Sequence, residues 1–512
     1  MSLKNLKVLF VSAEAAPFST VGGLSQVAYF LPRTLNRLGA QVAIFTPKYG
    51  TISEEKYPTK LAVKGLKIPT DEPEGGSAPK ELVCNVKSFG EHLKAEPTVY
   101  FLENMEYYEN RSNVYGYSDD PVRFALLSRG ALEFIKSGYF VPDVIHINDW
   151  HTGYLADYLR RNYKDDPVLK KIATVFSIHN LYQGVFDFTH CSELDFDDGR
   201  SGLSSFFSER FPKQNGLKRG VIYSDVINTV SETYSREIMR EEYGQGLEKL
   251  FKELRGKLYG VLNGLDYHDF NPATDKILKR NYSVGNIEAR AENKADLQRE
   301  FCLKVDPNVP LLAISGRMDW QKGLDLVMDT INFVLDEFPV QLVVLGGGDD
   351  RYRNFFAQLE KQYPGRVGTH LQPNFALPHK IFAGADMVLL PSRYEPGGIV
   401  AMESQHYGAV PVVRATGGQA DSVIDFDAVR NIGTGFTFQN FAKESFLVAV
   451  VRALETYKNQ KVWKEIVKRA MTQDFSWANV AGKYTELYKR AIEFHKEQMQ
   501  PNPPMAFRQP VV

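Results

Sequence analysis

The chain has 512 residues, which is enough for two domains, and its net charge of -1 gives no electrostatic reason for nucleic-acid or membrane-surface binding. Hydrophobic residues make up 43% of the chain, and no apolar run approaches the roughly 18 residues of a membrane span. Cys84, Cys191 and Cys302 lack the paired spacing of a metal site, which favours a reducing, cytoplasmic location. The apolar segment 8–13 is too short for a signal peptide.

The first half of the chain alternates predicted strands and helices. A strand at 7–13 is followed by the glycine loop 21–24 and a helix at 25–38. Further strands are predicted at 41–46, 143–147, 173–178 and 225–230, whereas 71–94, rich in proline, glycine and charge, is predicted to be a loop or an edge hairpin. This alternation is typical of a parallel sheet covered by helices on both faces.

Polar residues follow two of these predicted strands. Asp149 and His151 come after the strand at 143–147, and His179 comes after the strand at 173–178. Because ligands bind open α/β sheets at the carboxyl ends of strands, we expect these side chains to line a ligand site. The structural alternatives are a helix cap for the aspartate and internal hydrogen bonds for the histidines. A zinc site is disfavoured because no ligand pair has helical spacing.

The second half repeats the pattern after a linker near 263–275. Its strands are predicted at 309–314, 341–345, 387–391, 410–413 and 435–438, with helices between them. A charged helix is predicted at 287–301, an amphipathic helix runs from Trp477 to about Gln498, and the proline-rich tail 500–512 is expected to be poorly ordered. Two α/β domains are therefore predicted.

Two cations lie between a predicted strand and a predicted helix. Arg317 follows the strand at 309–314, and Lys322 precedes apolar residues that recur at helical spacing from Leu324. Cations beside the free N–H groups of a helix N-terminus form a binding site for a diphosphate. They also stabilise negative charge that develops on a leaving diphosphate. The alternative is that both are ordinary surface charges of a loop.

A carboxylate and two glycines follow the predicted buried strand at 387–391, in a glycine-rich turn before a helix. Glu395 precedes Gly397 and Gly398, which allow backbone to approach a ligand closely. Glu403 comes eight residues later, so we expect the two carboxylates on roughly one face of a helix. A carboxylate accepts hydrogen bonds from sugar hydroxyls, and with the two cations it predicts a pocket for a nucleotide sugar.

These motifs together resemble the bacterial glycogen synthase and plant starch synthase family of retaining glucosyltransferases. The resemblance extends from Lys7 to about Ala491, which is nearly the whole chain. Its most specific segments are 12–17, 148–151, 178–184, 261–266, 317–322, 392–396, 416–421 and 475–477.

The resemblance implies the GT-B fold, in which two Rossmann-like α/β domains face each other across a cleft. Residues 1–264 would form the N-terminal, acceptor-side domain, and residues 265–480 the C-terminal, nucleotide-sugar-binding domain. Residues 481–512 would form a helix that crosses back onto the N-terminal domain and a disordered tail.

The resemblance also implies the reaction. Glucose would move from a nucleoside diphosphate glucose, with ADP-glucose favoured over UDP-glucose, to the non-reducing end of an α-1,4-glucan, with retention and without a cofactor or metal ion. By match to the family's motifs the catalytic residues would be Arg317, Lys322, Glu395, Asp149 and His179; the donor-binding residues Gly22, Gly23, Thr20, Phe375, Gly397, Gly398, Ile399 and Glu403; and the acceptor-binding residues Asn180, Tyr182 and Gln183. The oligomeric state stays open.

The chain departs from the family's usual pattern at four positions. Thr20 replaces the lysine of the family's Lys-x-Gly-Gly-Leu loop, and Gly397 stands where bacterial members commonly carry cysteine. Pro373 occupies the position of a tyrosine that stacks on adenine, with Phe375 as a substitute two residues later. Glu403 completes a Glu-x7-Glu pattern that is typical of other retaining glycosyltransferases.

Three alternatives stay open, two of which rest on these departures. A retaining transferase acting on a small acceptor is favoured by Glu403, and a glucan-binding protein with weakened catalysis is favoured by Thr20. A sugar-nucleotide epimerase of the same fold is the third.

Overall fold

The chain forms two α/β units. A computed structural model describes residue 4 and residues 6–91, 93, 95–182, 184, 197–268 and 270–500. The first unit contains the described residues up to Val230, Ser235–Val261 and those from Val480 onward, and the second contains Ser231–Tyr234 and Leu262–Asn479. The expected functional division into acceptor-side and donor-side domains stays a prediction.

The first unit is built on one large sheet. Its described strands are β1 (Lys7–Val11), β2 (Gln41–Pro47), β3 (Lys60–Pro69), β4 (Glu81–Phe89), β5 (Thr98–Glu103), β6 (Val144–Asn148), β7 (Ala173–Ile178), β8 (Val226–Thr229) and β9 (Leu258–Gly260). They lie in the order β3-β4-β5-β2-β1-β6-β7-β8-β9. From β5 to β9 every pairing is parallel, whereas β4 pairs antiparallel with β3 and β5. The central strands are buried almost throughout, which explains their continuous apolar sequences.

The prediction of a loop or edge hairpin at 71–94 was partly wrong. The edge of the sheet is antiparallel, but its first strand, β3, ends at Pro69 and precedes the predicted span. Most of 81–89 is a regular strand in which Cys84, Val86 and Ser88 are buried on alternate positions. The turn residues are concentrated in 71–80, and they concealed the two-residue alternation that follows.

The second unit has a smaller sheet in which every pairing is parallel. Its described strands are β10 (Leu311–Ser315), β11 (Gln341–Leu345), β12 (Val367–His370), β13 (Met387–Leu390), β14 (Val410–Arg414) and β15 (Phe436–Phe438). They lie in the order β12-β11-β10-β13-β14-β15, which is the doubly wound Rossmann order. The chain therefore winds outward in opposite directions from β10 and β13.

Helices connect the strands of both units. In chain order, the described α-helices are α1 (Gly23–Arg37), α2 (Asp120–Lys136), α3 (Asp149–Arg161), α4 (Gly216–Tyr223), α5 (Glu232–Glu237), α6 (Glu241–Gly244), α7 (Glu248–Glu253), α8 (Arg290–Glu300), α9 (Leu324–Glu337), α10 (Asp350–Gln362), α11 (Leu377–Gly384), α12 (Ile399–His406), α13 (Gly417–Ser422), α14 (Lys443–Tyr457), α15 (Gln460–Met471) and α16 (Trp477–Gln498). Within the described ranges, no helix is long and apolar enough to span a membrane.

The C-terminal helix α16 packs on the first sheet through buried polar groups. His146 Nδ1 lies 2.8 Å from the Tyr488 hydroxyl, and His146 Nε2 lies 2.7 Å from Ser177 Oγ. Asn228 Nδ2 donates to Ser177 Oγ (3.1 Å) and to the Tyr484 hydroxyl (3.4 Å). All five side chains are buried, and desolvation lowers the pKa of His146 well below its ordinary value. The ring is therefore neutral, and its hydrogen bonds fix the register of α16 on the sheet.

The register of α16 gives the first prediction. Replacing Tyr488 with phenylalanine leaves His146 Nδ1 buried without its partner, so we expect Tyr488→Phe to lower the free energy of unfolding by about 1–3 kcal/mol. The matched control is Tyr139→Phe, because Tyr139 is exposed and donates to Glu91 at the surface. We expect the control to stay within about 0.5 kcal/mol of the wild type. Urea midpoints measure both; equal shifts would contradict the structural role of the Tyr488 hydroxyl.

Candidate active site

The loops that follow β10 and β13 meet at the topological switch point of the second unit. β10 pairs with β13 through Leu312 and Met387, and from these neighbours the chain turns to opposite sides. Ligands bind open α/β sheets in the crevice at such a point. The first loop carries Arg317 and Lys322, and the second carries Glu395.

Lys322 and Glu395 form an ion pair at this point. Lys322 Nζ donates to Glu395 Oε2 over 2.6 Å, and both side chains are about four-fifths buried, with exposures of 21% and 17%. The Ser392 hydroxyl donates to the same carboxylate oxygen over 3.3 Å. Partial burial makes such a pair stronger than an exposed one. The structure therefore brings together two of the predicted catalytic residues.

Arg317 lies in the same loop as Lys322, with its side chain directed to solvent. Its exposure is 69%, and its guanidinium lies 3.3 Å from the Asp319 carboxylate. Asp319 also accepts a hydrogen bond from the Lys322 backbone N–H (3.3 Å), which holds the turn before α9. Because an exposed ion pair contributes little energy, Arg317 can exchange Asp319 for another anion at small cost.

Three glycines pack the Glu395 loop directly against the first residues of α13. A Cβ on Gly417 would lie 2.2 Å from the Glu395 carbonyl oxygen, one on Gly418 2.3 Å from the Gly397 carbonyl carbon, and one on Gly398 2.5 Å from the Gly418 carbonyl carbon. Gly398 and Gly417 also have positive φ angles of 63° and 45°. Only glycine permits this backbone contact. Gly418 N–H donates to the Glu395 carbonyl (2.8 Å), so this contact positions the residue that pairs with Lys322.

The expectation that Glu395 and Glu403 share one helical face was wrong. The left-handed conformation of Gly398 delays the helix, so α12 begins at Ile399 and Glu395 lies in the preceding loop. Glu403 lies within α12, partly buried, and desolvation raises the pKa of its carboxyl to about 8. Near neutral pH this carboxyl is largely protonated and can donate a hydrogen bond as well as accept one.

The loop after β12 lies on the other side of β10 and carries the two residues predicted to influence base binding. Pro373 packs against the glycine turn after β11, since a Cβ on Gly347 would lie 3.0 Å from Pro373 Cδ. Phe375 is 84% exposed. An exposed ring is accessible for stacking on a ligand.

In the first unit, a buried carboxylate holds the glycine loop. Glu14 Oε2 accepts hydrogen bonds from the backbone N–H groups of Val21 (2.6 Å) and Gly22 (3.2 Å). Thr20, Gly22 and Gly23 are exposed, and α1 begins at Gly23. Desolvation raises the pKa of Glu14 from an ordinary value near 4.5 to about 7, although its two backbone partners favour the charged form. Sequence reasoning missed this contact, although an acidic residue directly after a buried strand was visible.

Asp149 and His179 lie side by side at the carboxyl ends of β6 and β7. Asp149 Oδ1 accepts hydrogen bonds from the N–H groups of His179 (2.7 Å) and Asn180 (3.4 Å), and His179 Nε2 lies 2.9 Å from Asn148 Oδ1. Asp149 has a φ of +54°, which is unfavourable for a residue other than glycine and indicates a locally strained backbone. Desolvation raises the pKa of Asp149 to about 7 and lowers that of His179 to about 3. His179 is therefore neutral.

The other predicted residues of this unit have mixed surroundings. His151 is buried and stacks on Tyr115, with ring centroids 4.7 Å apart, so its setting is that of a core residue. Tyr182 is 52% exposed, next to Trp150. Gln183, predicted to bind the acceptor, lies outside the described residues, as does the tail beyond residue 500. Across the described ranges, no three histidine, cysteine or acidic residues are grouped to hold a metal ion.

Comparisons with known proteins identify close relatives. Residues 7–253 match the family model described as the starch synthase catalytic domain, and residues 300–470 match the model for glycosyl transferases group 1. The chain is 40% identical over 493 residues to a glycogen synthase of Thermotoga petrophila, covering 95% of this chain and 99% of that one. A glycogen synthase of Clostridium perfringens is 37% identical over 494 residues, covering 96% and 99%.

Solved structures agree with this relationship. The catalytic domain of starch synthase IV from Arabidopsis thaliana, bound to ADP and acarbose, superposes with a TM-score of 0.83 at 30% identity and covers 96% of this chain and 100% of that one. A sucrose-phosphate synthase from Thermosynechococcus elongatus superposes with a TM-score of 0.56 at 17% identity, covering 95% and 99%, and supports the fold alone.

The glycine contact beside Glu395 gives the second prediction. We expect Gly418→Ala to lower the unfolding free energy by about 2–4 kcal/mol, because its Cβ meets backbone atoms that cannot move aside. The control is Gly482→Ala in α16, where a Cβ meets no atom within 4 Å; it should be neutral or stabilise the protein by up to about 1 kcal/mol. Denaturant midpoints measure both variants. A Gly418→Ala protein as stable as the control would contradict the close packing.

The third prediction concerns Glu14. Because its pKa is higher in the folded than in the unfolded state, the folded protein binds the extra proton, and stability from this group is lost as pH rises from about 4.5 to 7. Each pKa unit corresponds to about 1.4 kcal/mol, so we expect Glu14→Gln to gain up to about 3 kcal/mol relative to wild type between pH 5 and pH 8. The measurement is the difference in unfolding midpoint between the two proteins at each pH. A difference independent of pH would contradict the raised pKa.

Proposed function

The chain belongs to the glycogen synthase and starch synthase family of glycosyltransferases, and from this we propose that it moves glucose from a nucleoside diphosphate glucose to the non-reducing end of an α-1,4-glucan, with retention of configuration. ADP-glucose is the proposed preferred donor, in keeping with the ADP bound to the starch synthase relative. The single observation that carries the proposal is the Lys322–Glu395 pair at the switch point.

The pair supplies the two chemistries that a nucleotide sugar requires. A diphosphate needs cations, which Lys322 and the exposed Arg317 provide, and the leaving diphosphate gains negative charge in the transition state. Glucose hydroxyls need rigid acceptors and close backbone, which Glu395 and the glycine turn at Gly397 and Gly398 provide. Lys322 and Glu395 are already oriented by their mutual hydrogen bond, so little reorganisation is needed when the donor binds.

The remaining predicted residues have roles consistent with their settings. In the second unit, the first N–H groups of α12, starting at Ile399, and the protonated carboxyl of Glu403 suit polar groups of the donor. In the first unit, Thr20, Gly22 and Gly23 are proposed to contact the donor through the exposed glycine loop.

The acceptor is proposed to contact the first unit. Asp149 fixes the backbone of His179 and Asn180, and the neutral His179 can exchange hydrogen bonds with sugar hydroxyls. Tyr182 presents an exposed ring, and Gln183 completes the proposed acceptor set. No metal ion is proposed, because Arg317, Lys322 and helix N–H groups already supply positive charge for the diphosphate.

The deciding experiment measures release of nucleoside diphosphate from ADP-glucose and UDP-glucose, with and without glycogen. We expect release that depends on glycogen and is accompanied by incorporation of glucose into the polymer. Release without incorporation, or incorporation only into a small sugar, would favour a different transferase. Conversion of the donor without release of diphosphate would indicate an epimerase.

The fourth prediction tests the cations. Arg317→Ala and Lys322→Ala should each reduce kcat by about a hundredfold or more under saturating donor, because each cation acts on charge that develops on the leaving group. The control is Arg430→Ala, which removes a cation of the same unit whose exposure is similar to that of Arg317. We expect the control to change kcat by less than about twofold. Retention of more than a tenth of the wild-type rate by either variant would refute the leaving-group role.

The fifth prediction concerns the base. Pro373 lacks a stacking face, so we expect kcat/KM for UDP-glucose within about a hundredfold of that for ADP-glucose, a gap of about 2.7 kcal/mol. Phe375→Ala should narrow the gap further, since a purine stacks more extensively than a pyrimidine, whereas Phe333→Ala, on an exposed face of α9, should not. A preference above a thousandfold that Phe375→Ala leaves unchanged would show that neither position governs base choice.

A further inference from the structure

Three hydrogen bonds join two loop segments of the second unit, 319–322 and 392–395, into one rigid piece. Arg393 N–H donates to the Gln321 carbonyl over 2.8 Å, and Gln321 Nε2 donates to the Tyr394 carbonyl over 3.3 Å. The Lys322–Glu395 pair adds a third link over 2.6 Å. Any side chain presented by the segments 319–322 and 392–395 is therefore held in a fixed relation to Lys322 and Glu395.

Trp320 is presented by this rigid piece and is 60% exposed, although it is the largest apolar side chain in either segment. The Arg393 guanidinium lies 4.7 Å from its ring centroid. The same guanidinium also lies 4.0 Å from the centroid of the Phe441 ring, and it donates a hydrogen bond to Asp325 Oδ2 over 2.8 Å. The Trp320 ring therefore packs on the Arg393 guanidinium, which is itself held by Phe441 and Asp325.

Tyr394 extends the aromatic surface. Its ring centroid lies 6.4 Å from that of Trp320, with the two planes at 57°, and its side chain is partly exposed. A pair of fixed aromatic rings on the surface is costly to expose and is a recurrent feature of ligand sites.

The topology indicates which ligand this pair would meet. Trp320 contacts the loop after β13, which carries Glu395, whereas Pro373 and Phe375 follow β12, on the other side of β10. The aromatic pair therefore lies toward β13 in the strand order, where glucose is proposed to bind, and the proposed base position lies toward β12. In the proposed reaction, the ligand next to the transferred glucose is the glucan acceptor, which is an oligosaccharide or polysaccharide.

We propose that Trp320 and Tyr394 form a stacking surface for a pyranose ring of the glucan acceptor, and that Trp320 determines much of the affinity for the chain. The proposal rests on the function proposed above. A pyranose ring presents a face of C–H groups bordered by hydroxyls, and a flat aromatic ring with a polar N–H or O–H matches that pattern. The simpler alternative is that Trp320 only covers Arg393, and the variants are chosen to separate the two.

The test compares Trp320→Ala, Trp320→Leu and Trp320→Phe with Phe333→Ala. Leucine still covers Arg393 but has no flat face, phenylalanine restores the flat face, and Phe333 is an exposed aromatic residue of α9 outside the proposed site. Retardation in native gels containing glycogen, without any donor, measures glucan affinity independently of catalysis. KM for glycogen and KM for ADP-glucose are measured in parallel.

We expect Trp320→Ala and Trp320→Leu to weaken glycogen binding and raise KM for glycogen by about fivefold or more, with KM for ADP-glucose within about twofold of wild type. Trp320→Phe and Phe333→Ala should resemble the wild type. Unchanged glycogen retardation in Trp320→Ala, wild-type behaviour of Trp320→Leu, or a parallel rise in both KM values would overturn the proposal. If the wild type transfers no glucose to glycogen, the proposed function fails, and gel retardation alone still decides the stacking role.

Discussion

The ion pair between Lys322 and Glu395 is the interaction on which the proposed chemistry depends. It joins the loops that follow β10 and β13, the two strands from which the second sheet is wound in opposite directions. The capping contact of Asp319 positions Lys322, and the contact between Gly418 N–H and the Glu395 carbonyl positions its partner.

Buried carboxylates perform a related task in the first unit. Glu14 follows β1 and binds the N–H groups of the glycine loop, while Asp149 follows β6 and binds the N–H groups that follow β7. β1 and β6 are neighbours from which this sheet also winds in opposite directions. In both units, therefore, an acidic side chain near the switch point accepts hydrogen bonds from backbone N–H groups of a loop.

Much of the fold could be predicted because its strands are continuous apolar runs. β7 and β11 were predicted with their observed limits, and α16 begins and ends where its amphipathic pattern predicts. β4 was missed because the turn residues before it concealed a short alternation. The strands β3, β5, β9 and β12 were also missed; β9 and β12 have only three or four residues and carry too little periodic signal.

The candidate site was predictable in composition but not in geometry. Sequence patterns identified Arg317, Lys322 and Glu395, but helical spacing alone wrongly predicted a common face for Glu395 and Glu403, because it does not reveal that Gly398 takes a left-handed conformation. The role of Glu14 and the burial of His151 depend on contacts between segments distant in the chain. Such contacts follow from the assembled sheet rather than from local sequence.

The most direct test of the central claim is calorimetric measurement of ADP binding to the wild type and to Glu395→Gln, combined with the rate of glucose transfer. If Lys322 serves the diphosphate and Glu395 serves the glucose, the amide variant should bind ADP at least as tightly as the wild type, because a competing carboxylate beside Lys322 is removed. Its transfer rate should nevertheless fall by about a hundredfold or more. A loss of ADP affinity as large as the loss of transfer would contradict this division of roles.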